Sequence, residues 1–280
     1  MKNSIIILLL SFAFSVNAQE FSGKAIYKTS RKTNFKIGDD SKMSDQQKEQ
    51  IEARMRKMNQ KTFILEFDKY TSTYKEDVKL EEPKKPQVGG GTVMVFSMGG
   101  SGSGSIYYKN TKENRFTNQT EIMGKRFLVK DSLPNYEWQM TSETKNIGNY
   151  TCYKATFTRD VENVTMSMVN GESKEVKETV SVTTTAWYTP QVPVSNGPDD
   201  YQGLPGLILE INDGTTTMVC TEIILNPSEK IKIEEPEKGK IVSQAEYEKI
   251  SREKSKEMME KFKSRNGVEL GNGINIKMGG

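Results

Sequence analysis

From Thr185 to Asn212 the chain reads TAWYTPQVPVSNGPDDYQGLPGLILEIN, and this stretch constrains the fold more than any other. Leading into it, Val180, Val182, Thr184, Ala186 and Tyr188 alternate with Ser181, Thr183, Thr185 and Trp187. A period of two built from β-branched and aromatic residues predicts a strand. Pro190, Pro193 and Pro198 then deny ladder donors and break any helix, so 189–202 is expected to be an ordered loop. Gly203-Leu204-Pro205-Gly206-Leu207 suits a type II turn, with Pro at the first central position and Gly at the second. Leu207 to Ile211 is an apolar strand that ends at the hairpin signal Asn212-Asp213-Gly214, and Thr215 to Leu225 returns.

Gly203, Leu204, Pro205, Gly206, Leu207 and Ile208 spell GLPGLI. Upstream stand Trp138, Thr144-Lys145, Ile147-Gly148, Tyr150, Cys152 and Lys154-Ala155, then Trp187-Tyr188-Thr189, Val192-Pro193 and Gly197-Pro198. With these flanks the chain resembles the GLPGLI family of exported proteins, found mainly in Bacteroidetes. The likeness is close over about 125–225 and holds in layout alone before that. It implies export and brings no established activity. Where the family often has an aromatic residue after Gly-Pro, this chain has Asp199-Asp200. The motif itself reads as a turn between two core strands, because its residues carry no chemistry. The other reading is a surface presented to a ligand. Contact with an apolar small molecule, a peptide or an outer-membrane protein is placed on the preceding loop, at Trp187, Tyr188 and Tyr201, since long ordered loops often carry function. Trp187 facing the core of the sheet is the competing reading.

Lys2 precedes an apolar run, Ile5 to Leu10 with Phe12 to Val16, which ends in Val16-Asn17-Ala18. This is the pattern of a secretory signal peptide with cleavage after Ala18, and the run is too short to span a bilayer. No Cys follows it, so a periplasmic or outer-membrane-associated protein is expected, not a lipoprotein, with no transmembrane span in the mature chain. Loss of Lys2 takes the formal net charge from +3 to +2. So even a balance argues against nucleic acid as a partner.

There is no histidine in 280 residues. That removes Ser-His-Asp and Cys-His catalysis, HExxH zinc sites and histidine proton shuttles. Carboxylate pairs, Lys, Tyr or Ser-Lys chemistry remain. Asp199-Asp200, with Glu210 and Asp213 nearby, could serve acid–base chemistry or calcium, but no D-x-D-x-D-G spacing exists. They read as solvated loop charges. The two cysteines, Cys152 and Cys220, lack metal spacing, so no metal and no cofactor is expected. In an exported chain they are either a disulfide, contributing about 4 kcal/mol by the chain-entropy model, or two separate buried thiols.

In chain order, Phe21 to Lys28 reads as a strand. A polar helix follows at about 44–60, opened by the capping box Ser44 to Gln47 and carrying Ile51, Met55 and Met58 at helical spacing. Phe63 to Phe67 and Thr71 to Glu76 are strands. The glycine- and serine-rich stretch 89–105 is a flexible loop; no Gly-Lys-Ser/Thr follows it, so it is not a phosphate loop. Short strands follow at Ile106 to Lys109, Arg115 to Gln119, Lys125 to Lys130 and Tyr136 to Met140, then a long one at Tyr150 to Thr158 and a hairpin extension over Val161 to Val176. After Pro227 the composition turns to mixed charge. A second capping box, Ser243 to Glu246, opens a solvated Lys- and Glu-rich helix with Tyr247, Ile250, Met258 and Phe262 near one face.

These elements predict a β-rich α+β fold: about ten strands in one large curved antiparallel sheet with two helices, laid out like the half-barrel of lipoprotein carriers. The expected layout is a signal peptide at 1–18, a single β-rich domain at 19–226, a charged helical extension at 227–265 and a disordered tail at 266–280. The expected role is an exported binding or accessory protein of the cell envelope. The alternatives are a carboxylate- or Lys-dependent hydrolase and a purely structural envelope protein.

Overall fold

The structure is a computed structural model that describes residues 21–32, 46, 49, 60–78, 104–169, 172–266 and 276–278. The expected signal peptide, nearly all of the helix expected over 44–60 and the glycine- and serine-rich stretch through 103 lie outside the described residues.

The described chain builds one 13-stranded sheet. Its strands are β1 (Ser22–Arg31), β2 (Gln60–Asp68), β3 (Thr71–Glu76), β4 (Ile106–Asn110), β5 (Arg115–Ile122), β6 (Lys125–Ser132), β7 (Gln139–Ile147), β8 (Tyr150–Val169), β9 (Glu172–Thr189), β10 (Leu207–Asn212), β11 (Thr216–Leu225), β12 (Lys240–Val242) and β13 (Ile276–Met278). The spatial order is β12-β6-β5-β4-β3-β2-β1-β11-β10-β9-β8-β13, with β7 also on β8. Two meanders therefore meet where β1 pairs with β11. Each consecutive hairpin buries one face at low topological cost, which is why short alternating runs suffice. The sheet is mixed, not wholly antiparallel, because β12 joins β6 in parallel. One helix, α1 (Gln244–Asn266), stands among the described residues. No helix there is long and apolar enough to cross a membrane.

The pairing registers put one apolar row across the first meander. Ala25 faces Leu65, Leu65 faces Tyr74, Tyr74 faces Tyr107, Tyr107 faces Asn118 and Asn118 faces Val129. Directly opposed residues share a face, so this row lies on one side of the sheet. Ala25, Leu65, Tyr74, Tyr107 and Val129 belong to the larger core cluster, joined by Phe67, Phe116, Phe127, Cys152, Leu207, Leu209 and Cys220. A smaller cluster forms from Ala155 and Phe157 of β8, Ala186 and Tyr188 of β9, and Ile208 and Ile211 of β10. The Thr189–Gly206 loop serves both: Val192 and Val194 enter the first, Tyr201 and Leu204 the second.

The charged segment after Pro227 is part of this architecture. Glu235 accepts bonds from Arg115 Nη1 at 2.8 Å, Thr117 Oγ1 at 2.6 Å and Lys130 Nζ at 3.0 Å, which straps the segment across β5 and β6. Burial opposes ionisation of Glu235, but donation from Thr117, Lys130 and Arg115 outweighs it and holds the carboxyl at about 2. β12 then extends the sheet. The capping box at the head of α1 forms as expected: Glu246 N donates to Ser243 Oγ at 3.2 Å, and Ser243 N to Glu246 Oε2 at 2.9 Å. The first turns of α1 are not solvated all round. Tyr247 and Ile250 pack on the larger cluster, with Tyr247 edge-on to Phe127 at 5.9 Å. Two apolar side chains at i and i+3 are enough to seat a helix end that is otherwise charged.

At the other side of the sheet, β7 is almost wholly exposed, carries Glu143 and Lys145, and breaks register between Met140 and Thr144. Charge and irregularity of this kind keep an edge strand from pairing further. β8 and β9 run on as an arm. Among the described residues, beyond Thr156 and Thr185 they pair with each other and, over Ile276–Met278, with β13.

Candidate functional site

β3 and β4 place Ser72 opposite Lys109 on the apolar face, and β5 places Phe116 opposite Lys109 on its other side. Lys109 is completely buried. A charged side chain survives there only if its protons are satisfied. They are, by one loop. Lys109 Nζ donates to the carbonyl oxygens of Gly197 at 2.7 Å, Asp199 at 2.7 Å and Tyr201 at 3.0 Å. Three acceptors match the three donors of an ammonium, and a neutral amine could supply only two. Burial pulls the Lys109 pKa well below the usual lysine value, against the charges of Asp200 and Asp199, which raise it.

The loop is shaped to deliver those carbonyls. Tyr201 N donates to Pro198 O at 3.1 Å, closing a turn over Asp199 and Asp200. Asp199 has φ 52°, a left-handed conformation that aspartate tolerates better than most residues. Asn196 Oδ1 accepts from Gly197 N at 2.9 Å and from Ser72 Oγ at 3.3 Å. Trp138 Nε1 donates to Gln202 O at 2.9 Å, and Gln202 Nε2 donates to Pro134 O at 2.8 Å. Gly203 N donates to Ser195 Oγ at 3.1 Å. A loop held at so many points is a rigid platform.

The GLPGLI hexapeptide ends this platform. The expected type II turn is not what forms. Gly206 N closes on Leu204 O at 2.9 Å around Pro205, a three-residue turn, while Leu207 N goes to Val192 O at 3.0 Å and Ile208 N to Asn196 O at 2.9 Å. The loop competes for the N–H that a type II turn would use. Gly206, at φ 155°, has no room for a side chain: a Cβ there would lie 2.2 Å from Thr189 O. Leu204, Leu207 and Ile208 are buried.

Around the turn stand two carboxylates and four tyrosines. Asp199 and Asp200 are partly exposed, and among the described residues neither forms a salt bridge. Burial raises the Asp199 carboxyl above the usual range, the charge of Asp200 adds to this, and Lys109 opposes it. Burial raises the phenols of Tyr74, Tyr107, Tyr136 and Tyr201; the charge of Asp199 adds to this at Tyr74, and that of Asp200 at the other three. The hydroxyls of Tyr74 and Tyr136 are buried; that of Tyr136 interacts with the Asp200 carboxylate and that of Tyr74 with Thr29.

The structure separates the three aromatic residues that sequence singled out. Trp187 and Tyr188 are neighbours on β9 and point to opposite faces. Trp187 packs against the larger cluster beneath Lys145 Nζ, 4.4 Å from its ring centre, and Lys145 pairs with Glu210 at 2.7 Å. Tyr188 and Tyr201 are buried in the smaller cluster, where Tyr201 stacks on Tyr136 at 5.5 Å. All three are packing residues in this conformation. Asp199 and Asp200, read as solvated, sit instead against a buried lysine. Lys109 was missed; a lysine two residues from Tyr107 on an aromatic strand face is the only signal sequence offered. Cys152 and Cys220 are free buried thiols on β8 and β11, with β9 and β10 between them.

No curated protein matches the sequence. Among solved structures, two crystal forms of PNGF-II, in space groups C2 and P21, match with a TM-score of 0.46 and 15% identity, over 84% and 83% of this chain and 33% of theirs. The chain thus spans about a third of the length of the solved structures it matches. Residues 138–210, from the Trp138 that braces the loop to the Glu210 that pairs with Lys145, match a family described as a protein of unknown function, Porph_ging.

Proposed function

We propose that this is an exported binding or accessory protein of the cell envelope, and that it binds through the Thr189–Gly206 loop. The observation that carries the reading is the three-carbonyl clamp on Lys109. It fixes the loop to the sheet through backbone atoms and leaves the carboxylates of Asp199 and Asp200 outside the clamp. Preorganised polar groups on a rigid scaffold are what binding sites need, since ordering is already complete before the ligand arrives. The amino-terminal apolar run and the resemblance to the GLPGLI family support export. A sheet with its larger cluster on one face, capped by loop valines and Tyr247, supports the half-barrel layout.

Native mass spectrometry of protein released gently from its own cell envelope tests this. Excess mass lost on denaturation, or a partner retained by in-cell crosslinking, is the expected result. A bare mature mass with no crosslinked partner overturns it and leaves a structural envelope role. A carboxylate-dependent hydrolase is the second reading, favoured by the raised Asp199 carboxyl beside Asp200. Full turnover in a variant with alanine at both positions would remove it. Lys109 is completely buried, with its Nζ enclosed by three loop carbonyls, so a substrate cannot reach it as a nucleophile in this conformation.

A further inference from the structure

β8 and β9 run past the rest of the sheet as an arm, and one edge of that arm is open. β8 pairs with β9 from Val169 and Glu172 back to Tyr153 and Tyr188. On its far side β9 meets β10 at Thr185–Thr189 and no other strand among the described residues. From Glu172 to Thr184 its outer row of backbone groups is therefore a sheet edge. The opposite edge of the arm already takes an added strand, since Ile276–Met278 pairs antiparallel with Val164–Met166. Proteins commonly blunt such edges with lysine. Here the charges are of both signs and follow an order: Lys174, Glu175, Val176, Lys177, Glu178.

Read backwards, that run inverts every sign. Two identical strands paired antiparallel about Val176 set Lys174 against Glu178 and Glu175 against Lys177, each twice by the symmetry, with Ser173 against Thr179 and Glu172 against Val180. Opposed residues lie on one face whichever way the strand is turned; opposite charges there stabilise the pair and like charges oppose it. Neighbouring registers lose the match. Centred between Glu175 and Val176, Lys174 meets Lys177; centred between Val176 and Lys177, Glu175 meets Glu178; centred on Glu175, Glu172 meets Glu178.

We propose that this edge of β9 is an interface for a second copy of the chain: two arms pair antiparallel about Val176 and join two sheets across a twofold axis. A twofold contact uses one patch twice, so the patch must complement itself, and this run does. The complement of the run is the run itself, which favours a second copy over a different protein. The interface goes beyond the loop reading, and neither needs the other.

The test uses the full mature chain. Sedimentation equilibrium is expected to show monomer and dimer, with dimer weakened by salt. Lys174→Glu with Lys177→Glu makes the run all acidic, and Glu175→Lys with Glu178→Lys makes it all basic. Each variant alone should self-associate at least about tenfold more weakly, and an equimolar mixture should restore dimer as the mixed pair. Lys177 also pairs with Glu162 within the arm at 3.1 Å, so circular dichroism checks that the acidic variant folds. If it does not, cysteine reads the register directly. Val176→Cys has its two Cα atoms about 4.5–5.5 Å apart in the dimer, within disulfide reach, so mild oxidation should link it. Thr179→Cys stands about 20 Å from its symmetry mate and should not link. Cys152 and Cys220 are buried and do not compete. A monomer at every concentration, a dimer indifferent to both charge reversals, reversed variants that fail to associate when mixed, or linkage through Thr179→Cys in place of Val176→Cys overturns the proposal.

Discussion

Lys109 Nζ lies 2.7 Å from the backbone oxygen of Asp199, across 90 residues of sequence, and it is this peptide oxygen, not the side-chain carboxylate, that receives its proton. The bond ties a loop with four prolines and a left-handed aspartate to the sheet. It also fixes a first prediction. Lys109→Met keeps the length and apolar stem of the side chain but orphans three carbonyls. Each buried unsatisfied group costs about 1–3 kcal/mol, so a loss of at least about 3 kcal/mol is expected. In a domain of this size that lowers the melting temperature by roughly 6–12 °C. Thermal unfolding by circular dichroism measures it; a shift under about 2 °C would show that the clamp is not what holds the loop.

The two glycines of the GLPGLI motif should differ sharply. Gly206→Ala drives a Cβ to 2.2 Å from Thr189 O, a backbone atom that cannot swing away. A cost above about 2 kcal/mol follows. Gly203 has φ 95°, but a Cβ there would meet only the Trp138 indole at 3.6 Å, ordinary contact. Gly203→Ala therefore costs the conformational strain alone, about 1–2 kcal/mol. Urea midpoints of the two variants give the order directly. Reversal of that order would mean that the motif glycines serve something other than the close approach of two chain segments.

How much of this was legible depended on the range of the interactions. Alternation over Val180–Tyr188 gave β9, and Asn212-Asp213-Gly214 gave the β10–β11 hairpin, because both signals are local and have period two or a fixed turn chemistry. The Ser243–Glu246 cap was legible for the same reason. The parallel β12 was not, since three residues carry no pattern and the pairing with β6 is set by the strap at Glu235. The type II turn failed because Leu207 N is claimed by Val192 from outside the turn. The site failed at its centre. Asp199 and Asp200 were visible as a pair, but what decides their environment is Lys109, and nothing in Ile106 to Asn110 marks that lysine as buried.

Glu235 sets a pH dependence whose sign can be worked out. Its folded-state carboxyl is held at about 2, below the ordinary value of 4.5. The folded form therefore binds fewer protons than the unfolded form in the interval between. Its contribution to stability is complete above the unfolded value and is lost as pH falls from about 4.5 toward 2. Glu235→Gln keeps the shape and removes the charge, so the variant should be less stable than wild type near neutrality and approach it below about pH 3. Melting temperatures of both proteins across that range test it. A constant difference at every pH would mean that the strap is held by packing at Pro236 and not by this charge.

The thiols supply the last prediction. Cys152 lies on β8 and Cys220 on β11, separated by two strands, so about three inter-strand spacings of 4.8 Å lie between their chains along the sheet. A disulfide needs Cα atoms within about 7 Å, which no side-chain rotation can provide here. Burial also pushes the Cys152 thiol up to about 11 and the Cys220 thiol up to about 12, which keeps both protonated and poorly nucleophilic at neutral pH. Protein exported through an oxidising compartment should therefore carry two thiols. Alkylation with iodoacetamide in denaturant without reductant is expected to add two labels, and alkylation of the folded protein almost none. One or no label after denaturation would mean that β8 and β11 come together in a conformation other than this sheet, and the placement of β9 and β10 between them would have to be abandoned.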